Sequence, residues 1–320
     1  MLQLTWSWQP ALYLFLGGMG AGAFIMAAVL FLIDRTKHRL VVCASMWAAF
    51  ASLAVGLMLL LSELISPVRG IMMWSAFSNF SSWMTYGAWG AFCALAVWFV
   101  SALLAVRPVG NALAKSWKWF KAHGAALRTV LAWIGIALGA FVAVYTGMLL
   151  MTAGGVPLWD SPLLPALFTV SAFDTGVALV EVMAVILSKR DPLAHRAQML
   201  MERIVVVLVV AEVAVLAALL WQMASGDAAT AWGAAAAASA ELLTSGGLST
   251  VFWWMVVACG LVLPLAMAIL GLALGKRESR PAMAVGAIGA LIGGCELRFL
   301  MLAAGVHASL LSTTVMGLLL

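Results

Sequence analysis

Apolar residues along this chain gather into eight long runs, at roughly 12–33, 40–64, 84–106, 128–151, 165–188, 201–224, 250–273 and 282–304, with shorter polar connections between them. Each run is near the ~20 residues a helix needs to cross the hydrocarbon core. A helix also satisfies every backbone polar group within the segment, as lipid requires. The pattern predicts an all-α integral membrane protein, one polytopic domain over 1–320 with eight transmembrane helices, arranged as two four-helix bundles.

Charge orients these spans. Fifteen of the seventeen Lys and Arg residues lie in or beside every second connection. They are Arg35, Lys37 and Arg39; Arg107, Lys115, Lys118, Lys121 and Arg128; Lys189, Arg190, Arg196 and Arg203; and Lys276, Arg277 and Arg280. The intervening connections carry Arg69 with Asp160, Asp227 and Glu241. The positive-inside rule places the first set in the cytoplasm, so both termini are expected outside a cytoplasmic (inner) membrane. The opening MLQLTWSWQPA has no basic n-region, so the first run reads as a retained helix and not as a cleaved signal peptide.

Composition sharpens the class. With 65% hydrophobic and 9% charged residues, a soluble protein is excluded, and the net charge of +5 is the loop bias just described, which implies no nucleic acid. Cys43, Cys93, Cys259 and Cys295 are isolated within apolar runs, so no iron–sulfur cluster and no disulfide framework is expected.

Several motifs read as helix packing. Gly18 and Gly22, Gly135 and Gly139, Gly271 and Gly275, and Gly289 and Gly293 each place small residues one turn apart, which lets helices approach closely. Trp6, Trp8, Trp74, Trp83, Trp159, Trp221, Trp253 and Trp254 mark outer span ends, as interfacial anchors do. The segment Lys115–Lys121 is expected to form a short helix on an anionic leaflet. The outer connections 65–83, 152–164 and 225–249 suit short surface or re-entrant helices and a docking face for another protein. Pro10-Ala-Leu-Tyr13 and Pro165-Ala-Leu-Phe168 open the first and fifth spans alike, a faint internal echo.

Ionisable residues inside the spans are costly in lipid and mark candidate chemistry. Asp174 and Glu181, seven apart in the fifth span, project from one face about 10 Å apart along the axis. Glu212 lies near the middle of the sixth span, and Glu63 caps the outer end of the second. Glu296 and Arg298 share the eighth span but point about 200° apart. Arg298 is expected to neutralise an acidic neighbour such as Asp174 or Glu63. Two readings stand side by side: a buried ion pair holding helices in register, or a proton path or ligand site. The histidines bear on redox chemistry. His38, His123 and His195 fall in basic connections and His307 beyond the eighth span, so axial haem ligation within the bundle is not expected. Any redox role then relies on a carrier diffusing in the membrane and on a cofactor held by a partner.

The opening Tyr13-Leu-Phe-Leu-Gly-Gly-Met-Gly-Ala-Gly-Ala-Phe24, the fourth-span ending Tyr145-Thr-Gly-Met-Leu-Leu150, Pro157-Leu-Trp159, Pro162-Leu-Leu-Pro165 and Ser171-Ala172 resemble the polysulfide-reductase membrane-subunit, or NrfD-like, family. The resemblance covers most of the first five spans; the last three agree in hydropathy alone. It implies a haem-free integral subunit of a respiratory molybdopterin oxidoreductase that binds menaquinol or ubiquinol near the outer face. It also implies a four-cluster ferredoxin-like iron–sulfur partner and a molybdopterin catalytic partner. The family's quinone-contacting tyrosine carries over to Tyr145, whose depth calls for a hydrogen-bond partner such as a quinone carbonyl. Gly17, Gly18 and Gly22 would leave a gap for a flat ring. Tyr86 completes the candidate pocket, and aromatic-belt placement would explain both Tyr13 and Tyr86. Relatives place Asn or His on the first helix where this chain has Gly and Met, so Glu63 is the substitute proton acceptor, with Asp174, Glu181, Glu212 and Arg298 as further candidates for proton transfer or ion pairing. The expected function is quinol oxidation with electrons passing to the iron–sulfur partner. The alternatives are a proton-coupled secondary transporter using Asp174, Glu181 and Glu212, or a purely structural anchor.

Overall fold

The computed structural model describes residues 8–62, 83–227, 229–274 and 280–308. Its regular elements are α1 (Trp8–Ile33), α2 (Arg39–Ser62), α3 (Trp83–Ala105), α4 (Arg107–Ser116), α5 (Lys118–Met151), α6 (Leu163–Ile186), α7 (His195–Ala224) and α8 (Ala231–Thr244). A turn of helix, Ser249–Val251, then enters a π-helix, Phe252–Val262, which continues as α9 (Leu263–Leu274), and α10 (Arg280–Ala303) follows. Eight helices are long and apolar enough to cross a membrane: α1, α2, α3, α5, α6, α7, the composite Ser249–Ala273, and Pro281–Ala303 within α10. The chain is a multi-pass membrane protein, as the hydropathy pattern predicts.

Two boundaries differ from the sequence reading. Pro108 sits in the first turn of α4, where its missing N–H costs nothing, so the helix starts at Arg107. Trp117 then breaks to an extended conformation, and Lys118–Lys121 become the first turn of the 34-residue α5. Residues 115–121 are therefore a joint between two helices, not the expected surface helix. In the connection 225–249, by contrast, the expected short helix is α8, whose cap Thr230 accepts from the Gly233 amide at 3.0 Å.

Helix α1 lies against α2, α5, α6 and α10. Its tightest crossing is with α6. A methyl group built on Gly22 would fall on the Ala172 carbonyl, and one on Gly176 on the Gly22 backbone. Gly18 meets Ala172 in the same register, so the two helices that share the Pro-Ala-Leu echo run parallel in direct contact. Gly135 and Gly139 receive Phe24 and Ile25 of α1, and Gly293 meets Gly260 of the π-helix backbone to backbone. Close packing of small residues supplies association where lipid gives no hydrophobic drive. The π-helix ends just before Pro264, and its wider turns absorb the helical register that proline interrupts.

The carboxylate of Asp191, between α6 and α7, accepts from the amides of Leu40 at 2.7 Å and Val41 at 3.2 Å, which ties that connection to the start of α2. Trp159 departs from its expected role as an interfacial anchor. It is 2% exposed and its indole donates to the Met301 carbonyl at 2.8 Å, because residues 156–159 are buried against the end of α10.

Candidate functional site

Helices α6, α7 and α10 build a buried polar cluster. Arg298 is 0% exposed. Its guanidinium donates to the Ser171 hydroxyl, to the Gly294 carbonyl at 3.0 Å and to the Phe168 carbonyl at 3.1 Å, and lies 4.9 Å from the centre of the Phe168 ring. Glu212 and Asp174 are the acidic groups that attract it. Ser171, Asp174 and Glu212 line one crevice with Gly260 and Gly293, where the π-helix comes closest to α10. Among the described residues, Asp174 Oδ1 and Arg298 Nε are buried without a hydrogen-bond partner. Buried polar atoms of this kind call for an explanation, and a role in handling protons or a ligand is one.

From this cluster acidic groups run on toward the basic end of the bundle. Asp174 and Glu181 line one narrow cavity of about 10 Å³ together with Glu202, between α6, α7, α9 and α10. That volume is about what a single water occupies. Gln198 donates to Glu202 at 3.1 Å, and Gly271 leaves room for the Glu202 carboxylate, since a methyl group there would overlap it. All four carboxylates are buried.

At the opposite end, Tyr145 lies flat on α3. A methyl group on Gly87 would fall inside its ring, and Phe141 stacks beside it with centroids 6.2 Å apart and planes 10° apart. Tyr13 packs between Gly56 and Gly17, near enough to Tyr145 for the two phenols to interact. A methyl on Gly17 would touch Tyr13 and Thr146 at 3.8 Å, whereas one on Gly18 would lie 3.7 Å from the Arg298 guanidinium. The aromatic site and the charged cluster thus adjoin the same two residues of α1.

The structure sorts the expected site residues as follows. Tyr145 reaches Gly17 only through Tyr13, which packs on that glycine, and Gly18 beside it meets Arg298. Asp174 and Glu181 do share a face, with Glu212 and Arg298 beside Asp174. Gly22 lies against the α6 backbone, so its share of the expected gap is filled by Ala172 and Gly176. Tyr86 is 46% exposed, with its ring 6.2 Å from that of Trp83. Glu63 lies outside the described residues. Tyr13 is 2% exposed, so a place in the aromatic belt does not describe it. Glu202 was not among the expected residues: at the edge of the expected run 201–224 and next to Arg203 it looks solvated, whereas the start of α7 at His195 sets it two turns into the helix.

The sequence pattern of the family described as "Polysulphide reductase, NrfD" matches residues 1–308. The C subunit of polysulfide reductase from Wolinella succinogenes is similar to this protein, 30% identical over 187 residues. The matched stretch takes in 55% of this protein and 56% of that subunit, so the match spans about half the length of this curated relative.

Proposed function

The chain belongs to the NrfD polysulphide reductase family, and we propose that it is the quinol-oxidising membrane subunit of a respiratory molybdopterin-type reductase. The observation that carries this reading is the position of Gly17-Gly18, with Tyr13, the neighbour of Tyr145, against one residue and Arg298 against the next. A quinol needs both features when it is oxidised: a site that binds its ring and carbonyl oxygens, and acceptors for the protons it gives up. Tyr145, with Tyr13, Gly17 and Tyr86 around the same end of the bundle, supplies the first. Its phenol donates to a quinone oxygen, and the bare backbone of Gly87 fixes the ring's orientation.

Arg298, Asp174 and Glu212 supply the second. The guanidinium favours a carboxylate beside it, and the unpartnered Asp174 Oδ1 is an open acceptor. Glu181 and Glu202 continue the line of carboxylates away from the site. Menaquinol or ubiquinol carries the redox chemistry as the substrate, while the protein binds, orients and takes protons. Each quinol oxidised yields two protons and two electrons. The electrons leave for a four-cluster iron–sulfur subunit docked at the tyrosine end and then for the molybdopterin subunit. The distribution of basic connections supports placing this end outside the cytoplasmic membrane, N-out and C-out.

Photolabelling of the assembled complex with an azidoquinone tests the site. Label is expected on peptides containing Gly17 or Tyr145, with competition by menaquinol; competed label confined to other helices contradicts the assignment. Orientation is checked with single cysteines at Asp227 and Lys189, both exposed, in a background without the native cysteines. An impermeant maleimide added to intact cells is expected to modify position 227 and spare 189, and the reverse pattern overturns the topology.

A further inference from the structure

A cavity at the basic end, larger than the one beside Glu181 and Glu202, lies far from the tyrosines and plays no part in the chemistry above. It holds about 90 Å³, several times the volume of one water. Five cationic side chains line it: Arg35, Lys37, Arg39, Arg107 and Arg128. They come from the α1–α2 connection, α2, α4 and α5, so the fold gathers charges that are far apart in the chain. The lining contains no acidic residue. Asp34 pairs with Lys37 at 3.3 Å from outside the lining. Its carboxyl is held well below the usual carboxylate range, first by the Thr36 hydroxyl, so that pair is already satisfied. The four guanidiniums are left facing the cavity.

The cavity is built as well as charged. Gly110 of α4 makes room for Arg128, because a methyl group there would strike its guanidinium. The Phe120 ring lies 5.9 Å from the Arg128 guanidinium carbon, and the buried Arg128 Nε has no hydrogen-bond partner among the described residues. Beside the cations the lining is mostly an apolar floor of Phe31, Val42, Met46, Ala105 and Ala132, with Ser101 and Asn111 among them. An orienting charge bias needs only numbers of Lys and Arg near span ends. Lys189 and Arg190, exposed in the α6–α7 connection, serve that purpose without lining any described cavity. Convergence of four guanidiniums over an apolar floor, at the level where helices leave the membrane, is recognition chemistry for an anion attached to an apolar body.

We propose that this cavity binds the phosphate headgroup of an anionic phospholipid, with the guanidiniums on the phosphate and the acyl-glycerol portion against the apolar floor. Free phosphate shares the headgroup's charge but offers nothing to that floor. The test is native mass spectrometry of the full chain, released from micelles supplied with phosphatidylglycerol, phosphatidylcholine or inorganic phosphate. Retention of phosphatidylglycerol above phosphatidylcholine is expected. The double variant Arg35→Gln/Arg39→Gln, both positions exposed, should lower that retention about twentyfold. Lys189→Gln/Arg190→Gln removes equal charge elsewhere and should leave it within about twofold. If Arg35→Gln/Arg39→Gln fails to fold, Arg107→Gln, also exposed, carries the test with a loss of about fivefold. Equal retention of the two lipids, equal loss in both double variants, or inorganic phosphate bound as well as the lipid would each overturn the proposal.

Discussion

Around Arg298 the protein gathers ionisable groups from α6, α7 and α10 into one buried cluster, whereas around Tyr145 it lays neutral rings against bare backbone. The two regions meet at Gly17 and Gly18, yet they answer different physical demands. A guanidinium and carboxylates inside a membrane are tolerable only together, so each member of the cluster depends on the others. A phenol on glycine is held by shape, and its hydroxyl can be removed while the ring stays. The charged cluster should therefore couple function to folding, and the tyrosine site should separate them.

The largest effect is expected at the crossing that fixes the two regions in relation to each other. Gly22→Val would drive side-chain atoms into the Ala172 carbonyl and the Gly176 Cα. Because backbone opposes backbone there, the cost should reach or exceed the upper end of the about 1–3 kcal/mol typical of overpacking. Loss of the monodisperse peak in detergent size-exclusion is the expected readout. Gly154→Val, where nothing lies within 4 Å, should behave as wild type. Equal tolerance of both changes would mean that α1 and α6 are not locked at Gly22.

Next in size is Arg298→Leu, which leaves Asp174 and Glu212 facing each other without their cation. Breaking a buried charge cluster from one side costs about 3–5 kcal/mol. The thermal midpoint of the purified protein should fall, and adding Asp174→Asn should recover part of the loss because it removes one of the stranded charges. A midpoint unchanged by Arg298→Leu, or lowered further by the second change, contradicts mutual compensation in the cluster.

How far the sequence foretells these regions follows from the kind of signal each leaves. Eight spans and their small-residue contacts are legible because lipid forces long apolar runs and lets only small side chains bring helices together. Asp174, Glu181 and Glu212 stand out because charges inside apolar runs are conspicuous. Glu202 does not, since it sits beside Arg203 at a helix start whose position hydropathy sets only to within a turn or two. Tyr13 and Trp159 are misread for a related reason. An aromatic residue near a span end looks the same whether it faces lipid or folds inward, and only the partners decide: Gly17 and Gly56 for Tyr13, the Met301 carbonyl for Trp159. The cavity between α1, α2, α3, α4 and α5 is likewise hidden, because orienting charges and binding charges are the same residues until the fold brings them together.

The smallest structural change makes the sharpest functional test. Tyr145→Phe keeps the ring on Gly87 and beside Phe141 and removes only the hydroxyl. Loss of one neutral hydrogen bond to bound quinol is worth about 0.5–1.5 kcal/mol, which lowers quinol-dependent turnover by roughly two- to twelvefold. Turnover of the assembled complex is measured with a menaquinol analogue and, in parallel, with an artificial dye that donates electrons directly to the partner subunits. The account predicts that the first rate falls while the second, and the yield of complex, match wild type. Wild-type rates with both donors would contradict it, leaving Tyr145 as packing and placing quinol oxidation elsewhere in the bundle.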